Sequence, residues 1–90
     1  MYKIKPTSRF KKDLKAVIKR GRKIELLDKA VSILASGAVL PMEYEDHPLS
    51  GNYAGYRECH IAPDWLLIYR KNENTMILLL TRTGSHSDLF

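Results

Sequence analysis

Three histidines in the second half of this 90-residue chain, His47, His60 and His86, are the residues best suited to chemistry. An imidazole titrates at about pH 6.5, so one histidine can accept a proton while another donates one. Two such groups and an arginine meet the needs of metal-independent RNA cleavage by transesterification. A base removes the 2′-hydroxyl proton, an acid protonates the departing 5′-oxygen, and a cation stabilises the phosphate, which leaves a 2′,3′-cyclic phosphate and a 5′-hydroxyl.

Other side chains supply the remaining roles in such a reaction. Arg82 provides the cation, and the ring of Phe90 can stack on a splayed base. Glu58 and His60 are two residues apart in a predicted strand, so they share one face of it. Asp64 adds a carboxylate from a predicted turn. The hypothesis therefore requires that a loop, a strand, a turn and the C-terminal segment converge in the fold.

Each candidate also has an explanation that needs no chemistry. His60 suits a half-buried, hydrogen-bonded position, and His47 suits a turn in "DHP", where the following proline restricts it to extended backbone. His86 also fits an exposed tail, and Arg82 fits a partner for Asp88 or for the terminal carboxylate. Three histidines and an aspartate can also bind a metal ion. No pair has the spacing of a metal motif, so the sequence predicts neither a metal site nor a cofactor.

Positive charge is concentrated at the N-terminal end of the chain. Residues 1–23 hold ten Lys or Arg residues and one acidic residue, Asp13, whereas residues 24–90 hold five basic and nine acidic residues. Such a block predicts a surface for a polyanion or for an acidic protein, although a solvated helix face has the same composition. The side chains predicted to contact an RNA or ribosome backbone are Lys11, Lys12, Lys15 and Lys19.

The spacing of apolar residues predicts the elements that must position these side chains. "MYKIK" alternates as a strand does, and Thr7 or Ser8 then caps a first amphipathic helix. Gly21 separates it from a second helix that ends near Gly37. "YRECHI", "LLIYR" and "TMILLLTR" follow as strands joined by the turns "APDW" and "KNEN". The apolar run 76–80 predicts a strand covered on both faces.

The predicted order β-α-α-β-β-β makes one α+β domain over residues 1–90, with a helix hairpin packed on a small, mainly antiparallel sheet. The single cysteine, Cys59, excludes an internal disulfide bond and fits a reducing cytoplasm. No apolar run approaches the roughly 20 residues of a membrane span. We therefore expect a cytoplasmic protein without a membrane partner.

The stretches "YEDHPLSGNYAGYRECHIAPDWLLIYR" and "LLLTRTGSHSDLF" resemble the YafQ branch of the RelE/ParE toxin superfamily, and the resemblance extends over the whole chain. It implies a RelE-like fold and a bacterial type II toxin that inhibits translation as an mRNA interferase. Such an endoribonuclease cuts mRNA mostly in the ribosomal A site and is held inactive by a cognate antitoxin. We expect the toxin without its antitoxin to be a monomer.

The resemblance also implies roles at matching positions. His86 matches the general acid of the family, and Phe90 matches a terminal aromatic residue that positions a base. Glu58 is predicted to act as a base or to orient His60. The other implied site residues are His47, His60 and Asp64 as acid–base or phosphate-contacting groups, Arg82 and Arg57 as phosphate ligands, and Trp65 as a support for Asp64.

The same superfamily offers an alternative function without catalysis. ParE-like members inhibit DNA gyrase with the same fold, and an RNA-binding module is also compatible with the basic block. A gyrase inhibitor has no chemical need for three histidines and Phe90. The histidines and the terminal ring therefore favour the nuclease.

Overall fold

The computed structural model describes residues 1–90. It contains five strands, two long helices and one short C-terminal helix. Their bounds in chain order are β1 Lys3–Pro6, α1 Ser8–Lys19, α2 Ile24–Ala35, β2 His47–Pro48, β3 Arg57–Ala62, β4 Trp65–Asn72, β5 Ile77–Gly84 and α3 His86–Leu89. No helix of this fold is long and apolar enough to cross a membrane.

The five strands form one sheet in the order β1-β5-β4-β3-β2. β1 runs parallel to β5, and every other pair is antiparallel, which confirms the predicted α+β fold with a mainly antiparallel sheet. The predicted count of four strands is wrong, because nothing in the local sequence indicates β2. β2 has only two residues, too few to show an alternating pattern, and it is recognised by its pairing of His47 with Glu58.

The helices α1 and α2 contribute to one core with the sheet. Phe10 and Leu34 are among the 16 buried residues that form this core, together with Trp65 and Tyr69 of β4. The Oγ1 atom of Thr7 accepts a hydrogen bond from the backbone N–H of Phe10 at 3.0 Å, so Thr7 is the predicted N-cap of α1. We call the side of the sheet that faces this core the helix face.

The opposite side of the sheet, which we call the open face, carries a smaller buried cluster. Leu66 and Ile68 of β4 pack there against Leu89 of α3. Tyr53 and Tyr56 from the loop before β3 cover part of the same cluster. Because side chains alternate along a strand, Glu58 and His60 of β3 also belong to the open face.

A β-bulge decides which face Arg82 occupies. Leu80 pairs with Tyr69 on the helix face, whereas Arg82 pairs with Ile68 on the open face. Thr81 is the extra residue between them. In a regular strand, Leu80 and Arg82 would share a face, so the inserted residue is what brings the guanidinium to the open face.

The third long strand, predicted as "TMILLLTR" over residues 75–82, begins two residues later at Ile77, and its apolar run 76–80 is less buried than expected. Met76 lies in the preceding turn with a φ of 55° and is 41% exposed. Leu78 and Leu80 are buried on the helix face, but Ile77 and Leu79 are only partly covered. The prediction that this strand is covered on both faces is therefore wrong for the first half of β5.

Candidate active site

The C-terminal segment "GSHSDLF" is folded and docked. Ser85 caps α3, because its Oγ atom accepts from the backbone N–H of Asp88 at 3.2 Å. The Asp88 carboxylate in turn accepts from the backbone N–H of Ser85 at 2.9 Å, which completes a capping box. His86 is the first residue of this short helix, so it belongs to a folded element and not to a loose tail.

Three contacts with other parts of the chain hold α3 in place. Arg20 at the end of α1 forms a two-pronged ion pair with Asp88, and this pair holds the pKa of Asp88 well below its usual range. Asp64 accepts a hydrogen bond through Oδ1 from the backbone N–H of His86 at 3.1 Å. Leu89 is buried in the open-face cluster. The alternative explanation of Arg82 as a partner for Asp88 is therefore wrong, because Arg20 is that partner.

Replacing Gly84 by alanine is expected to loosen α3 and to reduce activity more than stability. Gly84 has a φ of 154°, and a Cβ atom there would lie 2.9 Å from Oδ2 of Asp88. The carboxylate would have to move away from Ser85 and Arg20. Hydrogen exchange at the amides of α3 would measure the loosening, with Gly37→Ala as control because Gly37 also has a positive φ and a Cβ atom there would meet no atom closer than a Tyr2 ring carbon at 4.0 Å. Unchanged exchange in α3 would contradict this account.

Four rings form a continuous strip beside α3, which we call the ring strip. The rings of His60 and His86 have centroids 6.5 Å apart, and those of His86 and Phe90 lie 5.7 Å apart. Phe90, which is 62% exposed, meets the ring of Tyr53 edge to face at 5.9 Å. Two imidazoles and a solvent-facing aromatic ring therefore meet at one place on the surface.

The third histidine lies beside buried Glu58 on the neighbouring strands. Nε2 of His47 is 3.2 Å from Oε2 of Glu58, and Nδ1 donates to the backbone carbonyl of Glu45 at 2.7 Å. Glu58 is only 4% exposed and its Oε1 atom has no partner. With Nδ1 donating to Glu45, the 3.2 Å contact joins Nε2 of His47 to the Glu58 carboxylate, so His47 links Glu45 to β3.

Of the two roles predicted for Glu58, the one in which it orients His60 is wrong, because Glu58 pairs with His47. His60 instead has the carboxylate of Glu45 as its neighbour, with Oε2 lying 3.5 Å from Nδ1. Glu45 therefore contacts both His47 and His60, one through its carbonyl and one through its side chain. Its φ of 49° is unusual for a residue with a side chain and sets the direction of the chain into β2.

Arg82 is held by the only acidic residue of the basic block. Its Nε and Nη2 atoms donate to the Asp13 carboxylate at 2.7 and 3.1 Å. These bonds hold the pKa of Arg82 above its usual range, and the neighbouring Tyr53 acts in the same direction. Through Tyr53, the guanidinium is connected to Phe90 and hence to the ring strip.

Two predicted site residues are not brought to this cluster. Trp65 is buried on the helix face, where its indole N–H donates to Oγ1 of Thr83 at 2.9 Å. Arg57 pairs with Tyr69 on the helix face and forms an ion pair with Asp46 at 3.3 Å. The predicted lysines of α1, which are Lys11, Lys12, Lys15 and Lys19, are all exposed.

The structure also reveals contributors that the sequence pattern does not single out. Tyr53 and Glu45 fall in a predicted loop, and Asp13 stands out only as a charge. The isolation of Asp13 among ten basic residues is nevertheless a usable signal. Buried Cys59 is no nucleophile, because burial raises the pKa of its thiol to about 12. No three His, Cys, Asp or Glu side chains are arranged to hold a metal ion.

Several known proteins are similar to this chain in sequence and fold. The chain is 38% identical over 88 residues to the mRNA interferase toxin YafQ of Escherichia coli K12, covering 97% of this chain and 94% of that protein. The E. coli DinJ–YafQ complex contains a chain that matches with a TM-score of 0.91 and 36% identity, covering 100% and 99% of the two chains. A metal-bound toxin from Helicobacter pylori matches with a TM-score of 0.93 and 44% identity over all of both chains.

The fold that carries the ring strip is thus that of small toxins of bacterial type II toxin–antitoxin systems. The family model described as "Bacterial toxin of type II toxin-antitoxin system, YafQ" matches residues 2–90. The chain belongs to the YafQ toxin family.

Proposed function

We propose that this toxin is an endoribonuclease that cleaves mRNA in the ribosomal A site by acid–base transesterification without a metal ion. The strongest support for this proposal is that His60 and His86 lie side by side, with ring centroids 6.5 Å apart. At this separation the rings do not bond each other, and each can bond a different oxygen at the scissile linkage, His60 the 2′-hydroxyl and His86 the departing 5′-oxygen. The similarity to the E. coli mRNA interferase toxin supports mRNA as the substrate.

His86 acts in this proposal as the general acid and protonates the 5′-oxygen. It is exposed on one side, and its backbone is fixed by Asp64, so the imidazole can reach a bound chain from a defined position. His60 accepts the 2′-hydroxyl proton with Glu45 beside it. His47, bonded to Glu58 and to the carbonyl of Glu45, fixes Glu45 beside His60. After the products leave, His60 releases its proton to solvent and His86 takes one up, which returns the site to its starting state. The products are a 2′,3′-cyclic phosphate and a 5′-hydroxyl.

Phe90 and Tyr53 serve as the platform for a base. Their rings meet edge to face, so the free face of Phe90 can stack on a base next to the scissile phosphate. Stacking of this kind contributes about 1–3 kcal/mol for each base. Arg82, which neighbours Tyr53, is the cation that stabilises the charge on the phosphate.

The exposed lysines of α1 contact the RNA backbone of the ribosome in this proposal. Neutralising a lysine that meets a phosphate should make binding less dependent on salt. The double change Lys12→Gln with Lys15→Gln is expected to lower the slope of log K against log salt concentration by about 1.5, near 0.7–0.9 for each lysine. A filter-binding titration between low and moderate salt would measure it. Lys29→Gln on α2 is the matched control, and an equal slope for both proteins would contradict this surface.

A cognate antitoxin is the second partner in this proposal, since the matching E. coli structure is a complex of toxin with DinJ. We propose that the free toxin is a cytoplasmic monomer. Its size without antitoxin would be measured by light scattering.

Primer extension on mRNA from cells expressing the toxin tests the proposal directly. Cuts spaced in the reading frame are expected. With purified ribosomes, which need magnesium, the cuts should persist when a chelator selective for zinc and copper is added. Mass spectrometry of the fragments should find the cyclic phosphate.

Other outcomes of these experiments would change the proposal. Intact mRNA together with arrested DNA replication would support the gyrase-inhibitor alternative. Cuts in free RNA alone would remove the ribosomal A site from the proposal. Loss of cleavage in the chelator would contradict the metal-independent mechanism.

A further inference from the structure

We propose that Asp13 is a positioning residue, which holds Arg82 with one edge of its guanidinium directed toward the scissile phosphate. This inference rests on the proposed nuclease function. Asp13 lies on α1 and Arg82 on β5, 69 residues further along the chain. Both side chains are largely buried, with 12% and 15% of their side-chain surface exposed.

Asp13 binds one side of the Arg82 guanidinium and leaves its end available for a phosphate. A guanidinium has five N–H donors in a fixed fork. Asp13 accepts from Nε at 2.7 Å and from Nη2 at 3.1 Å, so it occupies one side of the fork. Asp13 does not occupy the two hydrogens of Nη1 or the second hydrogen of Nη2, and Tyr53 is their neighbour on the open face. These three hydrogens form the end of the fork, which can bind two oxygens of one phosphate.

Asp13 is itself fixed by the backbone. Its Oδ2 atom also accepts from the N–H of Thr83 at 3.2 Å, directly after the bulge that brings Arg82 to the open face. The carboxylate therefore holds both the guanidinium and the strand that carries it. An arginine without this partner would sample many rotamers, and a misplacement of about 1 Å in a reacting group can cost about 100-fold in rate.

The charge pattern of the sequence supports the same role. Asp13 is the only acidic residue among residues 1–23, where every other charged side chain is basic. A carboxylate in an RNA-binding surface repels phosphate, so its presence there is unfavourable unless it is paired. Pairing with Arg82 removes that repulsion and gives the arginine a fixed direction.

The test is a comparison of Asp13→Asn in the wild-type and Arg82→Lys backgrounds. Single-turnover cleavage of mRNA on purified ribosomes would be measured, together with the toxin concentration that gives half the maximal rate. In the wild type, the maximal rate should fall at least about tenfold with little change in that concentration. In the Arg82→Lys background, where no fork remains to be positioned, the same change should have less than about a twofold effect. Asp28→Asn, at an exposed aspartate of α2, is the matched control.

A second measurement tests the positioning role of Asp13 independently of the proposed nuclease function. The Nε–H resonance of Arg82 should exchange slowly with solvent in the wild type and in Asp28→Asn, and rapidly in Asp13→Asn. Equal rates of cleavage in Asp13→Asn and wild type, or equal losses in both backgrounds, would overturn the positioning role. If the wild type cuts no RNA, the proposed function fails. The exchange of Nε–H then decides whether Asp13 holds Arg82.

Discussion

Replacing His86 by alanine is expected to lower the rate of mRNA cleavage by about 10²–10⁴-fold, the usual contribution of a general acid or base. The imidazole makes no hydrogen bond that supports the fold, and the backbone N–H of His86 still donates to Asp64 in the variant. The melting temperature should therefore stay within a few degrees of the wild type, and antitoxin binding should be retained. Primer extension, thermal denaturation and co-purification with the antitoxin would measure these properties.

The matched control for this variant is Ser87→Ala, the next residue on the same short helix. Ser87 is exposed, and its hydroxyl contacts only that of Ser85. Cleavage should be close to that of the wild type. If His86→Ala remained fully toxic in cells while Ser87→Ala did as well, His86 would not be the acid. A loss of cleavage in both variants would point to the docking of α3 and not to the imidazole.

Replacing Arg82 by alanine is expected to lower both activity and stability. Loss of a charge-stabilising group at the phosphate should lower the cleavage rate by about 10²–10³-fold. Asp13 would be left without its guanidinium partner in a largely buried position, at a cost of about 1–3 kcal/mol in the free energy of unfolding. Urea denaturation and ribosomal cleavage would measure the two effects.

The double variant Arg82→Ala with Asp13→Ala separates these effects. Removing the carboxylate removes the unpaired charge, so part of the lost unfolding free energy should return, whereas cleavage should not. Arg70→Ala is the control, because Arg70 lies over the ring of Tyr56 at 5.5 Å and has no carboxylate partner. Recovery of cleavage in the double variant would contradict the role of Arg82 at the phosphate.

The elements of this fold are predictable where local signals are strong. The N-cap at Thr7 and the ends of the two long helices are predictable from the Thr side chain and from Gly21 and Gly37. The three long strands are predictable from their apolar residues and from the turn residues between them. β2 and the bulge at Thr81 are not predictable, because both are defined by pairing with another strand. α3 has a usable signal in Ser85 and Asp88, which have the spacing of a capping box.

The residue types of the site are easier to predict than their partners. Three histidines, an arginine and an aromatic residue indicate the chemistry, and the fold brings His60, His86 and Phe90 together. The predicted partner of Glu58 is wrong because the true one depends on the register of β2 against β3. The partner of Arg82 lies 69 residues away, a distance over which no local pattern carries information.

The parallel pairing of β1 with β5 has a consequence for the synthesis of the protein. It joins Lys3–Pro6 to residues 77–80, so the sheet cannot close until that part of the chain has left the ribosome. Pairing over so long a separation is slow to form. The nascent toxin therefore passes most of its synthesis without a complete site, and the ribosome that makes it is not exposed to a folded nuclease.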